Sequence, residues 1–167
     1  SNSPITIILG STLTAALQGV HLVALTGSPV VIQQAKISSV RHAIVFSAAI
    51  AGSPVLVADS TLATSSTGAA YHALYFFAAV ATSPVTLSGS RLVTGTFAGT
   101  NGVRFSSTLT NSDVVATDVT ISTLHMAFNF VGAVSNSALA VTDARLSANI
   151  GLYWYAAVTN SPITIAG

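Results

Sequence analysis

Ser28-Pro29-Val30-Val31-Ile32 decides how this chain is read, because the pattern returns along its whole length. It recurs as Ser3-Pro4-Ile5-Thr6-Ile7, Ser53-Pro54-Val55-Leu56-Val57, Ser83-Pro84-Val85-Thr86-Leu87 and Ser161-Pro162-Ile163-Thr164-Ile165. Two further copies begin at Ser112 and Ser137 and lack the proline. Successive starts lie 25, 25, 30, 29, 25 and 24 residues apart by subtraction. All 5 prolines hold the same place in the repeat, which marks a repeat architecture.

Working outward from that string, further columns align. Copies close on Gly27, Gly52, Asn111, Asn136 and Asn160, residues that tolerate a tight turn, with Thr82 the exception. A second apolar site holds Leu13, Ile37, Leu62, Leu92, Ile121 and Leu146, and a third holds Ile44, Leu74, Val103, Phe128 and Leu152. Two residues after the third comes an aromatic file, Phe46, Phe76, Phe105, Phe130 and Trp154, with His21 taking that place in the first copy. Leu25, Ile50, Val80, Leu109, Val134 and Val158 follow four residues later.

Apolar residues at i and i+2 in short segments carry the period of a strand. Pro and Gly/Asn punctuation at each repeat denies a helix the length it needs. One repeat therefore reads as three short strands separated by turns, each stacked parallel and in register on its counterpart in the next copy. The all-β fold expected is a β-solenoid of about six coils, a single domain over 1–167. Its coils span 3–27, 28–52, 53–82, 83–111, 112–136 and 137–160, with a partial turn at 161–167. The extra residues of the third and fourth copies, 63–70 and 93–100, should bulge between the second and third strands. Stacked coils bury a continuous column that no single coil could bury. The aromatic file should then form an internal stack at about 5 Å spacing, with small neighbours Gly151 and Ala156 making room for Trp154. Tyr75, one residue before Phe76, should face outward and matter little to stability. An outer-membrane-type barrel, with two strands per period, is the alternative fold, but it needs strands of about ten residues.

These features, together with the turns Asp59-Ser60-Thr61-Leu62, Asp118-Val119-Thr120-Ile121 and Asp143-Ala144-Arg145-Leu146, resemble the right-handed parallel β-helix of the pectin-lyase-like superfamily. The resemblance covers essentially the whole chain and is closest to the repeat regions of large surface and adhesin proteins. It implies a fold and leaves function open, because such helices serve as polysaccharide lyases and hydrolases, tailspikes and surface repeats.

Composition narrows the classes. Charged residues are only 5% of the chain while hydrophobic ones are 51%, and the net charge is +1. That balance excludes a basic nucleic-acid face and an acidic tail, and the hydrophobicity excludes disorder. The longest apolar run, Ala73 to Ala81, is half a membrane span, so no transmembrane segment is expected. With Cys 0 there is no disulfide frame and no thiol chemistry.

Candidate chemistry is sparse. Asp118 and Asp143 share a column with Asp59 and fall in adjacent coils, so with Arg145 they form the weak catalytic candidate, a carboxylate pair for general acid/base work or Ca²⁺ binding. The competing reading is a turn, because the same column also holds Gly10, Gln34 and Gly89. Lys36, Arg91 and Arg145 alternate outward with Thr61 and Thr120, too few cations for a polyanion groove. His42 and His72 stack in one column as wall histidines, since two imidazoles make a poor metal site. Tyr75, Phe77, Tyr153 and Tyr155 face outward, where they suit sugar stacking, lateral packing or cover by the inserted loops. No cofactor and no metal is expected. The function expected is a structural or adhesive β-solenoid segment of an extracellular or cell-surface protein or fibre. The alternative is a carbohydrate-active β-helix enzyme. Neighbouring copies or further coils of the same protein are the expected partners, with surface glycans as a second class, and the chain reads as an excerpt of a longer array.

Overall fold

A computed structural model describes residues 3–8, 12–65, 67 and 70–167. Four parallel sheets run along one axis. Sheet A holds Ile5–Ile8, Val30–Gln33, Val55–Ala58, Val85–Ser88, Val114–Thr117, Leu139–Thr142 and Ile163–Ala166 in that spatial order. Sheet B runs from Thr12–Ala15 through Lys36–Ser39, Thr61–Thr64, Arg91–Val93 and Thr120–Ser122 to Arg145–Ser147. Sheet C runs from Val20–Leu22 through Ile44–Phe46, Leu74–Phe76, Asn101–Phe105 and Met126–Phe130 to Ile150–Trp154. Sheet D stacks two-residue strands, from Leu25–Thr26 through Ile50–Ala51, Val80–Ala81, Leu109–Thr110 and Val134–Ser135 to Val158–Thr159. The chain is thus an all-β parallel solenoid of about six turns. Neighbouring strands pair parallel in all four sheets, whereas a barrel of hairpins would pair them antiparallel.

Each coil has four strands where the sequence predicts three. The fourth is the closing column of Leu25, Ile50, Val80, Leu109, Val134 and Val158, whose two-residue segments are too short to show an alternation. The first coil also departs from expectation: Leu22, not His21, pairs with Phe46. His21 faces outward, and its Nε2 meets the Ser47 hydroxyl at 2.7 Å. The spacing from Leu13 to Leu22 equals that from Ile37 to Phe46, so backbone length sets the register and the aromatic likeness of His21 misleads.

Inside, the aromatic file is continuous. Phe46, Phe76, Phe105 and Phe130 are fully buried. Their ring centroids repeat at 4.7, 4.6 and 5.1 Å, with Trp154 a further 5.6 Å on, and all the planes lie within 6° of parallel. Four stacked pairs contribute about 2–6 kcal/mol beyond area burial. Trp154 needs no enlarged coil: it sits half-buried on the last turn, and a Cβ on Gly151 would meet its nearest atom at an ordinary 3.8 Å.

Backbone conformation explains the corners. Between sheets A and B, Gln34, Asp59, Gly89, Asp118 and Asp143 all adopt φ near +50°. Each of their amides donates to a carbonyl of the next coil, as from Asp118 to Thr142 at 3.1 Å. Short polar side chains and glycine tolerate that left-handed geometry best. Gly10 of this column lies outside the described residues. At the end of each coil Gly27, Gly52, Asn111, Asn136 and Asn160 adopt it again, and Thr82 joins them at φ 48° despite its β-branch.

The serine of the repeat has its own ladder. The amides of Ser28, Ser53, Ser83, Ser112 and Ser137 each donate to the hydroxyl of the next coil's serine at 2.9–3.0 Å. Each of these hydroxyls in turn donates to the carbonyl two residues back, as Ser83 does to Ala81 at 2.8 Å. Proline then removes the one amide of the corner that has no ladder acceptor, while its carbonyl receives the first amide of the preceding coil's strand, as Pro54 does from Val30 at 2.8 Å. Where Ala138 replaces proline, its amide is met by Asp113 Oδ1 at 2.7 Å. The inserted residues leave between sheets B and C as expected, although Ala63 and Thr64 still belong to a strand. Ser66, Gly68 and Ala69 of the first insert lie outside the described residues.

Candidate functional site

The structure places Asp59, Asp118 and Asp143 at the exposed left-handed corner between sheets A and B. Asp118 and Asp143 do fall in adjacent coils, next to the paired residues Thr117 and Thr142. Arg145 stands two residues beyond Asp143 on the outer face of sheet B, exposed and in one column with Thr12, Lys36, Thr61, Arg91 and Thr120. The alternating cations therefore lie where the sequence puts them. A shallow groove of about 200 Å³ lies on the same sheet beside Thr14, Ser38, Ser39, Ala63 and Thr64, lined by hydroxyls and methyls with no titratable group. Among the described residues no set of three or more His, Cys, Asp or Glu comes together to hold a metal ion.

The densest polar and aromatic grouping lies instead on the outside of sheet C. His21, Val45, Tyr75, Arg104, Asn129 and Tyr153 form one outward column by strand register. Phe77 and Tyr155 stand beside it, 57% and 60% exposed. Tyr75 does face outward, as expected, but it is not idle. Its ring lies 4.7 Å from that of His42 and 4.9 Å from that of His72, and its hydroxyl accepts from Ser106 at 3.2 Å. Ser106 accepts in turn from Arg104 Nε at 3.0 Å, which fixes the guanidinium on this face. Tyr71 adds an edge contact to His42 at 5.1 Å, and the Arg41 guanidinium lies 5.8 Å above the Tyr71 ring.

His42 and His72 are buried beneath these rings, with centroids 5.3 Å apart. The His72 amide donates to His42 Nδ1 at 3.0 Å, and the Asn101 amide donates to His72 Nδ1 at 3.1 Å. An Nδ1 that accepts carries no proton, so the ring proton of each sits on Nε2. Burial pushes His42 down from 6.5 to about 4; a hydrogen bond with the His72 backbone partly opposes this, while the Arg41 and Arg104 charges add to it. Burial pushes His72 down to about 3, with His42 and Arg104 lowering it further. Both are neutral imidazoles over the physiological range.

Asn101 continues the column, its Nδ2 donating to Gly99 at 3.0 Å and lying 3.2 Å from His72 Nδ1. Asn129 reaches Asn101 Oδ1 at 3.5 Å, and its own buried Oδ1 finds no hydrogen-bond partner among the described residues. Sequence reasoning finds the His42–His72 column and the outward tyrosines, but misses Asn101 and Asn129. The signal available is register: Asn101 stands two residues before Val103, as His42 and His72 stand before Ile44 and Leu74, and Asn129 falls in the column of Val45, Tyr75 and Arg104.

No family model matches the chain, and no curated protein or solved structure matches it either.

Proposed function

We propose that this chain is a structural or adhesive segment of an extracellular or cell-surface protein or fibre, built as a rigid β-solenoid rod of the type the pectin-lyase-like superfamily uses. The observation that carries this reading is axial continuity. The serine ladder, the aromatic stack and four parallel sheets all run coil to coil along one axis, so load along the rod is shared by hydrogen bonds and stacked rings in every turn. The outer face of sheet C, with Tyr75, Phe77, Tyr153 and Tyr155, supplies the contact surface, and its ring faces suit surface glycans. Neighbouring copies or further coils of the same protein are the other proposed partners, since a regular coil repeat presents each turn with the surface that its neighbour needs. Placement of Asp118 and Asp143 on an exposed corner, with Arg145 on the outside of sheet B and none of them in the aromatic column of sheet C, supports this reading over a carbohydrate-active enzyme.

An antibody raised against the chain tests the location. Labelling of intact, unpermeabilised source cells or fibres is the expected result. Labelling that appears only after permeabilisation contradicts the proposal.

A further inference from the structure

We propose that His42 and His72 form a proton-operated seam that loosens the contact between the second, third and fourth coils on sheet C when the surroundings turn acid. The argument begins with hydrogen-bond direction. Parallel coils are normally joined by backbone amides donating to carbonyls, which do not titrate under ordinary conditions. At two places in this wall the acceptor is an imidazole nitrogen instead: His42 Nδ1 for the His72 amide and His72 Nδ1 for the Asn101 amide. Protonation turns each acceptor into a donor, and the two coils then face each other N–H to N–H.

The surroundings sharpen the effect. The groups packed against the pair are Tyr71 and Tyr75 from the third coil, Arg41 beside His42, Arg104 from the fourth coil, and each imidazole against the other. The only charges among them are positive. The 4 carboxylates, Asp59, Asp113, Asp118 and Asp143, lie at or next to the ends of sheet A strands, and none is among the charges that act on either imidazole. An imidazolium formed here would lose its amide partner, meet one or two guanidinium groups and gain no counterion. The open wall, in which the rings reach water, binds protons near the ordinary value of 6.5, while the closed wall resists until about pH 4 at His42 and about pH 3 at His72. The seam is therefore at full strength above pH 6.5 and weakens as pH falls through the interval between those values.

Size follows from linkage. Going from pH 7 to pH 4.5 should multiply the opening equilibrium by about fiftyfold for each histidine that the opening exposes. The seam runs between coils and is independent of where the protein resides.

Hydrogen exchange of the His72 and Asn101 amides tests this, corrected for the intrinsic pH dependence of exchange. Their protection should fall by tens-fold or more between pH 7 and pH 4.5. The Ser137 amide, which pairs with Ser161 on the last turn, opens by fraying that leaves both rings buried, so its protection should fall less. The double variant H42N/H72N places at both coils the side chain that the fourth coil already carries at this position, and it should abolish the excess loss. Should that variant fail to fold, imidazole nitrogen shifts of the unaltered chain at pH 7 decide: both rings must be protonated at Nε2 alone. Protection at His72 and Asn101 that follows Ser137 at every pH overturns the proposal, as does a proton on Nδ1 of either ring at neutral pH.

Discussion

Removing one ring from the middle of the aromatic file is the perturbation whose outcome the structure fixes most tightly. Phe105 is 1% exposed and lies between Phe76, 4.6 Å away with planes 2° apart, and Phe130, 5.1 Å away at 3°. Phe105→Ala removes both stacking contacts, each about 0.5–1.5 kcal/mol, and leaves a cavity that the two flanking rings cannot close without moving whole coils. A cost of about 3–5 kcal/mol follows, toward the upper end because parallel sheets on every side hold the walls apart. Phe105→Leu keeps apolar volume and loses the stacking alone, so it should cost about 1–3 kcal/mol. Phe77→Ala, one residue after a buried ring but 57% exposed, should cost well under 1 kcal/mol. Urea denaturation followed by far-ultraviolet circular dichroism measures all three. Because a solenoid is a sum of coils and their contacts, the Phe105→Ala curve should also broaden as the rod splits near its fourth coil. A Phe105→Ala cost below that of Phe77→Ala would refute an inward file.

Other perturbations have equally definite outcomes. Thr82→Asn relieves a β-branched residue at φ 48° and matches Asn111, Asn136 and Asn160, so it should raise stability by about 1 kcal/mol in thermal melts. Ser83→Ala removes the acceptor for the buried Ser53 amide and should cost about 1–3 kcal/mol, whereas the same change at the exposed Ser3 should cost almost nothing. Asp113→Ala strands the Ala138 amide and should cost about 0.5–1.5 kcal/mol. Once Ala138→Pro has removed that amide, the same change should cost nothing, and a double-mutant cycle reads the difference. Denaturation midpoints should be flat above pH 6.5 and fall below it, with a limiting slope of about 1.4 kcal/mol per pH unit for each histidine kept neutral by the fold.

The columns were readable in the sequence because solenoid geometry forces identical strand positions to recur at one coil length. Val30, Val55 and Val85 align in the structure as they do in the text of the repeat. Sheet D was not readable, since two residues cannot display a period of two. The serine ladder had a visible signal that proline obscured. Ser112 and Ser137 persist in the two copies that lack proline, so serine, not proline, is the element the coil contact requires. The left-handed corner at Asp59, Asp118 and Asp143 was legible only as a turn, because an aspartate placed for its backbone looks the same in sequence as one placed for its carboxylate. The amide-accepting role of His42 and His72 depends on which ring nitrogen faces the next coil, and residue type alone does not encode that.

Distance along one outer column tests the solenoid itself. The chain has no cysteine, so pairs can be introduced and spin-labelled cleanly on sheet B, where Thr12, Lys36, Thr61, Arg91, Thr120 and Arg145 occupy one column on successive coils. Thr12→Cys with Arg145→Cys spans five coil steps and should place the backbone positions about 24 Å apart, and Lys36→Cys with Arg145→Cys spans four and should give about 19 Å, at about 4.8 Å per step. Pulsed electron–electron resonance should return distances that grow by one equal step per coil. Distances that fail to rise in order along the column would contradict the parallel stacking on which the whole account rests.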